Sequence, residues 1–149
     1  MAIDRSHVAE NDRERRRLEA LVDTLDDAAL SRAMPAGWTV AGVLAHLAFW
    51  DQRILVLIQM LQRGEKVSGE VEGQVHWIND AAKPAQLALP PRRAAALAVD
   101  TARATDRAVA GLSDELLEKN AAAGGPIYLL RATHRREHLD QIEQTLARG

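Results

Sequence analysis

The stretch Pro126 to Arg148 reads PIYLLRATHRREHLDQIEQTLAR, and its two histidines, His134 and His138, stand four residues apart. On a helix that spacing puts both rings on one face, with Cβ atoms about 5–6 Å apart. Two imidazole nitrogens so placed can meet one metal ion at about 2.0–2.1 Å each. At about 100° per residue, Ile127, Leu130, Gln141 and Thr145 fall within about 40° of His134. The expectation is a final long helix that starts at Pro126, a residue suited to a first turn, and carries the histidine pair inside its buried stripe.

A third inward histidine lies upstream. Thr39 reads as the cap of a helix that runs to about Arg63 and stops at Gly64. On its wheel Val43, Trp50, Leu57 and Leu61 fall within about 60° of His46, so this ring also points inward. From Ile54 to Leu61 the helix is apolar nearly all round, which calls for cover from the following loop or from a homodimer partner.

The remaining elements frame these two helices. From Asp4 to Leu25, Val8, Leu18, Val22 and Leu25 recur at helical steps. The cluster Arg13, Arg15, Arg16 and Arg17 reads as a solvated face with the four-apart pairs Asp12–Arg16 and Arg15–Glu19 rather than as a nucleic-acid patch. The piece DDAALSRAM (26–34) runs into the Pro35-Ala36-Gly37 break. Residues 64–89, with Gly64, Gly69, Gly73 and Pro84, form a long connection holding one short helical turn around QVHWIND (74–80). Pro90-Pro91 opens a third helix to about Leu112, with Ala95, Ala98, Ala102, Thr105, Val109 and Leu112 in a stripe of mostly small residues. Ser113 caps the piece SDELLEK, and Gly124-Gly125-Pro126 leads into the final helix. The fold class is all-α: a four-helix bundle with a long crossover between helices 2 and 3, in a single domain spanning 1–149. A faint internal echo places His46 opposite His134 and Trp50 opposite His138.

Composition narrows the function classes. Of 149 residues, 19 are Lys or Arg and 21 Asp or Glu, so the net charge of −2 speaks against a nucleic-acid partner. The absence of cysteine excludes a disulfide framework, a thiolate metal site and a cysteine nucleophile in this chain. Any thiol chemistry must use a thiol from outside. The start, MAIDRSHVAENDRERRR, is charged throughout, and no apolar run reads as membrane-spanning. The expectation is a cytoplasmic protein without a membrane partner.

Three neutral imidazoles, from His46, His134 and His138, can hold one ion and leave positions open for water or substrate, the ligand pattern of a catalytic site. His7 reads as a surface residue, and so does His76 in the connection, with an extra ligand or a gate as its alternative role. Of the five aromatic side chains, Trp38, Phe49, Trp50 and Tyr128 lie within eight residues of His46 or His134. Phe49, Trp50 and Tyr128 are the expected pocket walls, and Trp38 packs at the start of helix 2. Arg53 and Gln141 stand about two turns beyond His46 and His134 on the same faces, in reach of a substrate anion or bound water. Glu137 is the candidate base or acceptor beside a ligand.

The run GWTVAGVLAHLAFW (37–50), with HRREHLDQIEQ (134–144), resembles the DinB/YfiT-like superfamily of four-helix metal-binding proteins. The matching positions are Trp38 ahead of helix 2, the pair His46-Leu47 within it, and His134 with His138 near the C-terminus. The segment VHWIND is similar to the part of the crossover where relatives carry an asparagine, here Asn79. The resemblance implies up-down-down-up topology, a divalent ion such as zinc or nickel on the three histidines, and a homodimer. Characterised relatives include enzymes that use low-molecular-weight thiols, among them mycothiol- or bacillithiol-dependent transferases and isomerases. The expected function is therefore a metal-dependent enzyme that activates an external thiol or water for transfer to a small electrophile. Metal-assisted hydrolysis is the enzymatic alternative, and a metal-stabilised dimeric binding or stress-response module the non-enzymatic one.

Overall fold

The computed structural model describes residues 2–68 and 73–149. Among them are seven α-helices: α1 (Ser6–Thr24), α2 (Asp27–Leu30), α3 (Val40–Gln62), α4 (Val75–Ala88), α5 (Pro91–Ala110), α6 (Asp114–Ala122) and α7 (Ala132–Ala147). Two residue pairs, β1 (Ala33–Met34) and β2 (Trp38–Thr39), form a small antiparallel hairpin. Its turn holds Ala36 and Gly37 at φ 60° and 77°. The hairpin delivers the chain to Thr39, whose hydroxyl accepts the Gly42 N–H at 3.0 Å and starts α3. At the other end of α3, Gly64 takes φ +77°, the conformation that suits a helix stop.

The long helices α1, α3, α5 and α7 make an all-α bundle. Helix α3 lies along α5 and also touches α7, while α1 packs on α5 and α7. The order around the bundle is therefore α1, α5, α3, α7, and the first two long helices face each other diagonally. Close approach of α3 and α5 follows from the small-residue stripe: Ala95, Ala98, Ala102, Thr105, Val109 and Leu112 are all buried. One apolar cluster holds Leu18, Leu44, Leu47, Leu139 and Ile142. A second holds Ile54, Ile58, Val67, Val109 and Ile127, so the loop after α3 covers part of its apolar second half through Val67.

Four sequence expectations need correction. The crossover is a helix of 14 residues, α4, rather than a short turn, and Pro84 lies inside it. Pro84 lacks an N–H and its ring crowds the carbonyl four residues earlier; α4 is amphipathic and docks on α3, which offsets that cost. Gly69 of the crossover lies outside the described residues. The second correction concerns DDAALSRAM, of which only Asp27–Leu30 is helical, with Asp26 accepting the Ala29 N–H. Third, α3 is long and apolar enough by length and composition to cross a membrane, contrary to the sequence reading. Its apolar character serves the bundle core, since 67% of its most apolar stretch is buried.

The fourth correction is at the stretch that opened the sequence analysis, because α7 begins at Ala132 and not at Pro126. Two asparagines from other elements hold residues 126–131 out of a helix. Asn120 accepts the Ile127 N–H at 3.0 Å and donates to the Ile127 carbonyl at 3.1 Å. Asn11 of α1 donates to the Leu129 carbonyl at 2.8 Å and accepts the Ala132 N–H at 2.9 Å. The second pair acts as a helix cap supplied from another helix. Backbone groups that would have closed helical turns are satisfied by side chains instead.

Helix α1 shows its charge pairs. Arg16 meets Asp12 at 3.1 Å and Arg15 meets Glu19 at 3.5 Å. Two of the arginines also bind across the bundle: Arg15 reaches Asp106 of α5 at 2.9 Å, and Arg17 reaches Asp140 and Glu143 of α7 at 2.6 and 2.9 Å.

Candidate metal centre

Helices α3 and α7 bring His46, His134 and His138 to one point. The His134 Nε2 lies 3.2 Å from the His46 Nε2 and 3.1 Å from the His138 Nε2. Two nitrogens bound tetrahedrally to one ion at about 2.0–2.1 Å would stand roughly 3.3 Å apart, so the spacing suits a shared cation. A ring nitrogen carries one proton or one lone pair, and the His134 Nε2 cannot make two directed hydrogen bonds to its neighbours. One cation would satisfy all three nitrogens. The donor set fits a divalent ion.

Surroundings favour neutral rings. Burial pushes the His134 imidazole down to about 2, helped by the nearby His138, His46, Arg131 and Arg135. His46 is lowered to about 4, by burial first and by His138 second. Neutral imidazole is the form that ligates metal. On His138 the Nδ1 faces the Gln141 Oε1 at 2.8 Å, and donation there leaves the Nε2 lone pair toward the other two rings. Among the described residues, the buried His46 Nδ1 has no hydrogen-bond partner.

The group stands at a cavity of about 800 Å³. Here the expected buried stripe of α7 is displaced. Ala132, Arg135, Leu139 and Ile142 form the buried line, while His134 and His138 are half-buried at its margin and face the cavity. Trp50 and Tyr128 line the cavity, as do Arg53, Glu137 and Gln141. Phe49 lies outside the lining and packs edge-on against Trp50, with ring centres 5.4 Å apart. His76 is exposed on α4, but at the cavity's edge. Trp38 meets the His46 ring edge-on at 5.7 Å. Asn79 accepts the Trp50 indole N–H at 2.8 Å and so ties α4 to the cavity wall.

Sequence reasoning missed the ionic cluster behind the site. Arg135, next to His134, has a fully buried side chain that reaches Asp106 through Nη2 at 2.7 Å and Asp51 at 3.1 Å. Arg131 meets the other oxygen of Asp51 at 2.8 Å. The Arg135 Nη1 also donates to the Asn11 carbonyl at 3.2 Å. These bonds tie α7 to α1, α3 and α5 at the level of the histidines. A signal was present: Asp51 shares the apolar line of Leu44, Leu47, Ile54 and Ile58, and Arg135 that of Leu139 and Ile142. Opposite charges on the apolar lines of two helices mark a buried pair.

Fold and site together define a class, an all-α helical bundle whose three-histidine group suits a divalent metal. A family model described as the DinB superfamily matches residues 10–142, and the chain belongs to that superfamily. No curated protein and no solved structure matches the chain.

Proposed function

We propose that the protein is a metal-dependent enzyme that joins an external low-molecular-weight thiol to a small electrophile, with zinc or nickel held by His46, His134 and His138. The observation that carries this reading is the convergence of three imidazole nitrogens, all within 4.8 Å of one another, on a cavity large enough for small-molecule reactants. A bound divalent ion would supply the charge that lowers the pKa of a thiol or water brought to it. The chain does the rest. Gln141 orients the His138 ring, Trp38 and Trp50 wall the cavity, and Glu137 accepts the proton released by the incoming thiol. Because the chain lacks cysteine, the sulfur must come from the co-substrate. The proposal extends to a cytoplasmic setting, where such thiols stay reduced, and to a homodimer covering the exposed Phe49 and Val56 of α3.

The test is turnover of a thiol and electrophile panel by zinc- or nickel-loaded protein, compared with His138→Ala. Thiol consumption should fall by more than about a hundredfold, the upper end of what losing a hydrogen-bond partner of a ligand costs. Unchanged turnover in a folded, metal-free variant overturns the enzymatic reading. Hydrolysis of an ester panel without thiol dependence would move the reaction to water as the nucleophile.

A further inference from the structure

Arg53 lines the cavity two turns along α3 from His46, about 11 Å of helix rise, with its guanidinium 5.8 Å from the Trp50 ring centre. It is half-buried, and among the described residues no carboxylate pairs with it. The buried Asp51, two residues away in the sequence, is already engaged by Arg131 and Arg135. Arg131 itself lines the cavity and meets Asp51 through its Nε. Among the described residues, no protein acceptor meets its terminal amino groups. Burial pushes the Arg53 guanidinium down, repulsion from Arg131 adds to that, and the Tyr128 hydroxyl opposes it. Arg53, Arg131 and Tyr128 all line this one cavity.

A half-buried guanidinium that faces a cavity, with no carboxylate partner among the described residues, is placed to meet a ligand's charge. The cavity lining holds four cations, Arg53, Lys83, Arg131 and Arg148, against Asp80 and Glu137. The lining is therefore net cationic, which favours a small anion. A guanidinium fork also matches the two oxygens of a carboxylate.

We propose that Arg53, with Arg131 and Tyr128 in the same cavity lining, forms a carboxylate-binding subsite that makes the substrate a small carboxylate-bearing molecule. The carboxylate would sit at the Arg53 wall while the reacting atom reaches the histidines. Arg53 is the specificity-determining residue, and Arg131 shapes the subsite while anchoring Asp51. This rests on the site assigned under the proposed function, but its recognition element is separate from the three histidines.

The experiment is calorimetric titration of the metal-free full chain with benzoate, with benzamide as its neutral counterpart and with inorganic phosphate. Wild type should bind benzoate at least about tenfold more tightly than benzamide, in line with the worth of one charge-assisted hydrogen bond. Arg53→Gln should lose that preference, and Arg53→Lys should recover part of it, with unchanged urea midpoints. Arg63→Gln, an exposed site outside the cavity, should keep the preference and so controls for bulk charge. Equal binding of benzoate and benzamide, survival of the preference in Arg53→Gln, its loss in Arg63→Gln, or tighter binding of phosphate would each overturn the assignment. Because no metal is present, a failure to load zinc counts against the proposed catalysis and leaves this result standing.

Discussion

Replacing Asp51 with asparagine keeps the side-chain shape and removes the charge that holds two arginines. The Asp51 and Arg135 side chains are 3% and 0% exposed, and Arg131 is 7% exposed. Breaking a buried pair by removing one partner typically costs about 3–5 kcal/mol, mostly as the penalty of an uncompensated buried charge. Two features place Asp51→Asn at the low end. Arg135 keeps Asp106, with both terminal nitrogens bonded at 2.7 and 2.8 Å, and the asparagine oxygen can still accept from one arginine. The expected loss is therefore about 3 kcal/mol, which for a chain of this size lowers the melting temperature by roughly 6–12 °C. Urea unfolding of the metal-free protein, followed by far-ultraviolet circular dichroism, reads the value. A change below about 1 kcal/mol would show the cluster to be water-filled or unformed, because that is the range of exposed pairs. The cluster would then not be what positions α7.

Other outcomes follow from the same geometry. Asn11→Ala should cost about 2–4 kcal/mol, since the Leu129 carbonyl and the Ala132 N–H both lose a partner. It should also weaken zinc binding, because the start of α7 is no longer held; unchanged stability and affinity would refute the remote cap. For pH, His46 titrates at about 4 and His134 at about 2 in the folded chain, below the ordinary 6.5. Between those values the unfolded chain binds more protons, so metal-free stability is full above about pH 6.5 and falls as pH drops toward 4. Each histidine adds a slope of about 1.4 kcal/mol per pH unit in that window. His46→Gln should show a shallower slope by about that amount in urea melts across the range, and an identical slope would contradict the assignment.

The sequence spoke most clearly where periodicity and spacing carry the information. Thr39 as the cap of α3, Gly64 as its stop and the alanine stripe of α5 are local patterns, and each was readable without coordinates. The histidines are of the same kind: His134 and His138 lie one turn apart, and His46 falls on an inward face of another helix. What escaped was long-range. Nothing near Pro126 shows that Asn120 and Asn11 will take over the backbone bonds of Ile127, Leu129 and Ala132. The displaced start of α7 followed, and with it the error that put His134 in the buried stripe when Arg135 occupies it. Pro84 marks its segment as a connection because propensity is local, whereas α4 is held by docking on α3. Arg135 and Asp51 are informative only as a pair, and their partnership spans 84 residues.

The central claim is that three imidazoles share one divalent ion. Zinc and nickel titrations of the metal-free chain, with bound metal counted per chain and the histidine ring signals followed by NMR, test it directly. One ion per chain is expected, with simultaneous shifts of His46, His134 and His138, with His7 and His76 unmoved, and with a large loss of affinity in His46→Ala, His134→Ala and His138→Ala alike. Binding that leaves any one of the three rings unshifted, or that survives all three substitutions, would contradict it.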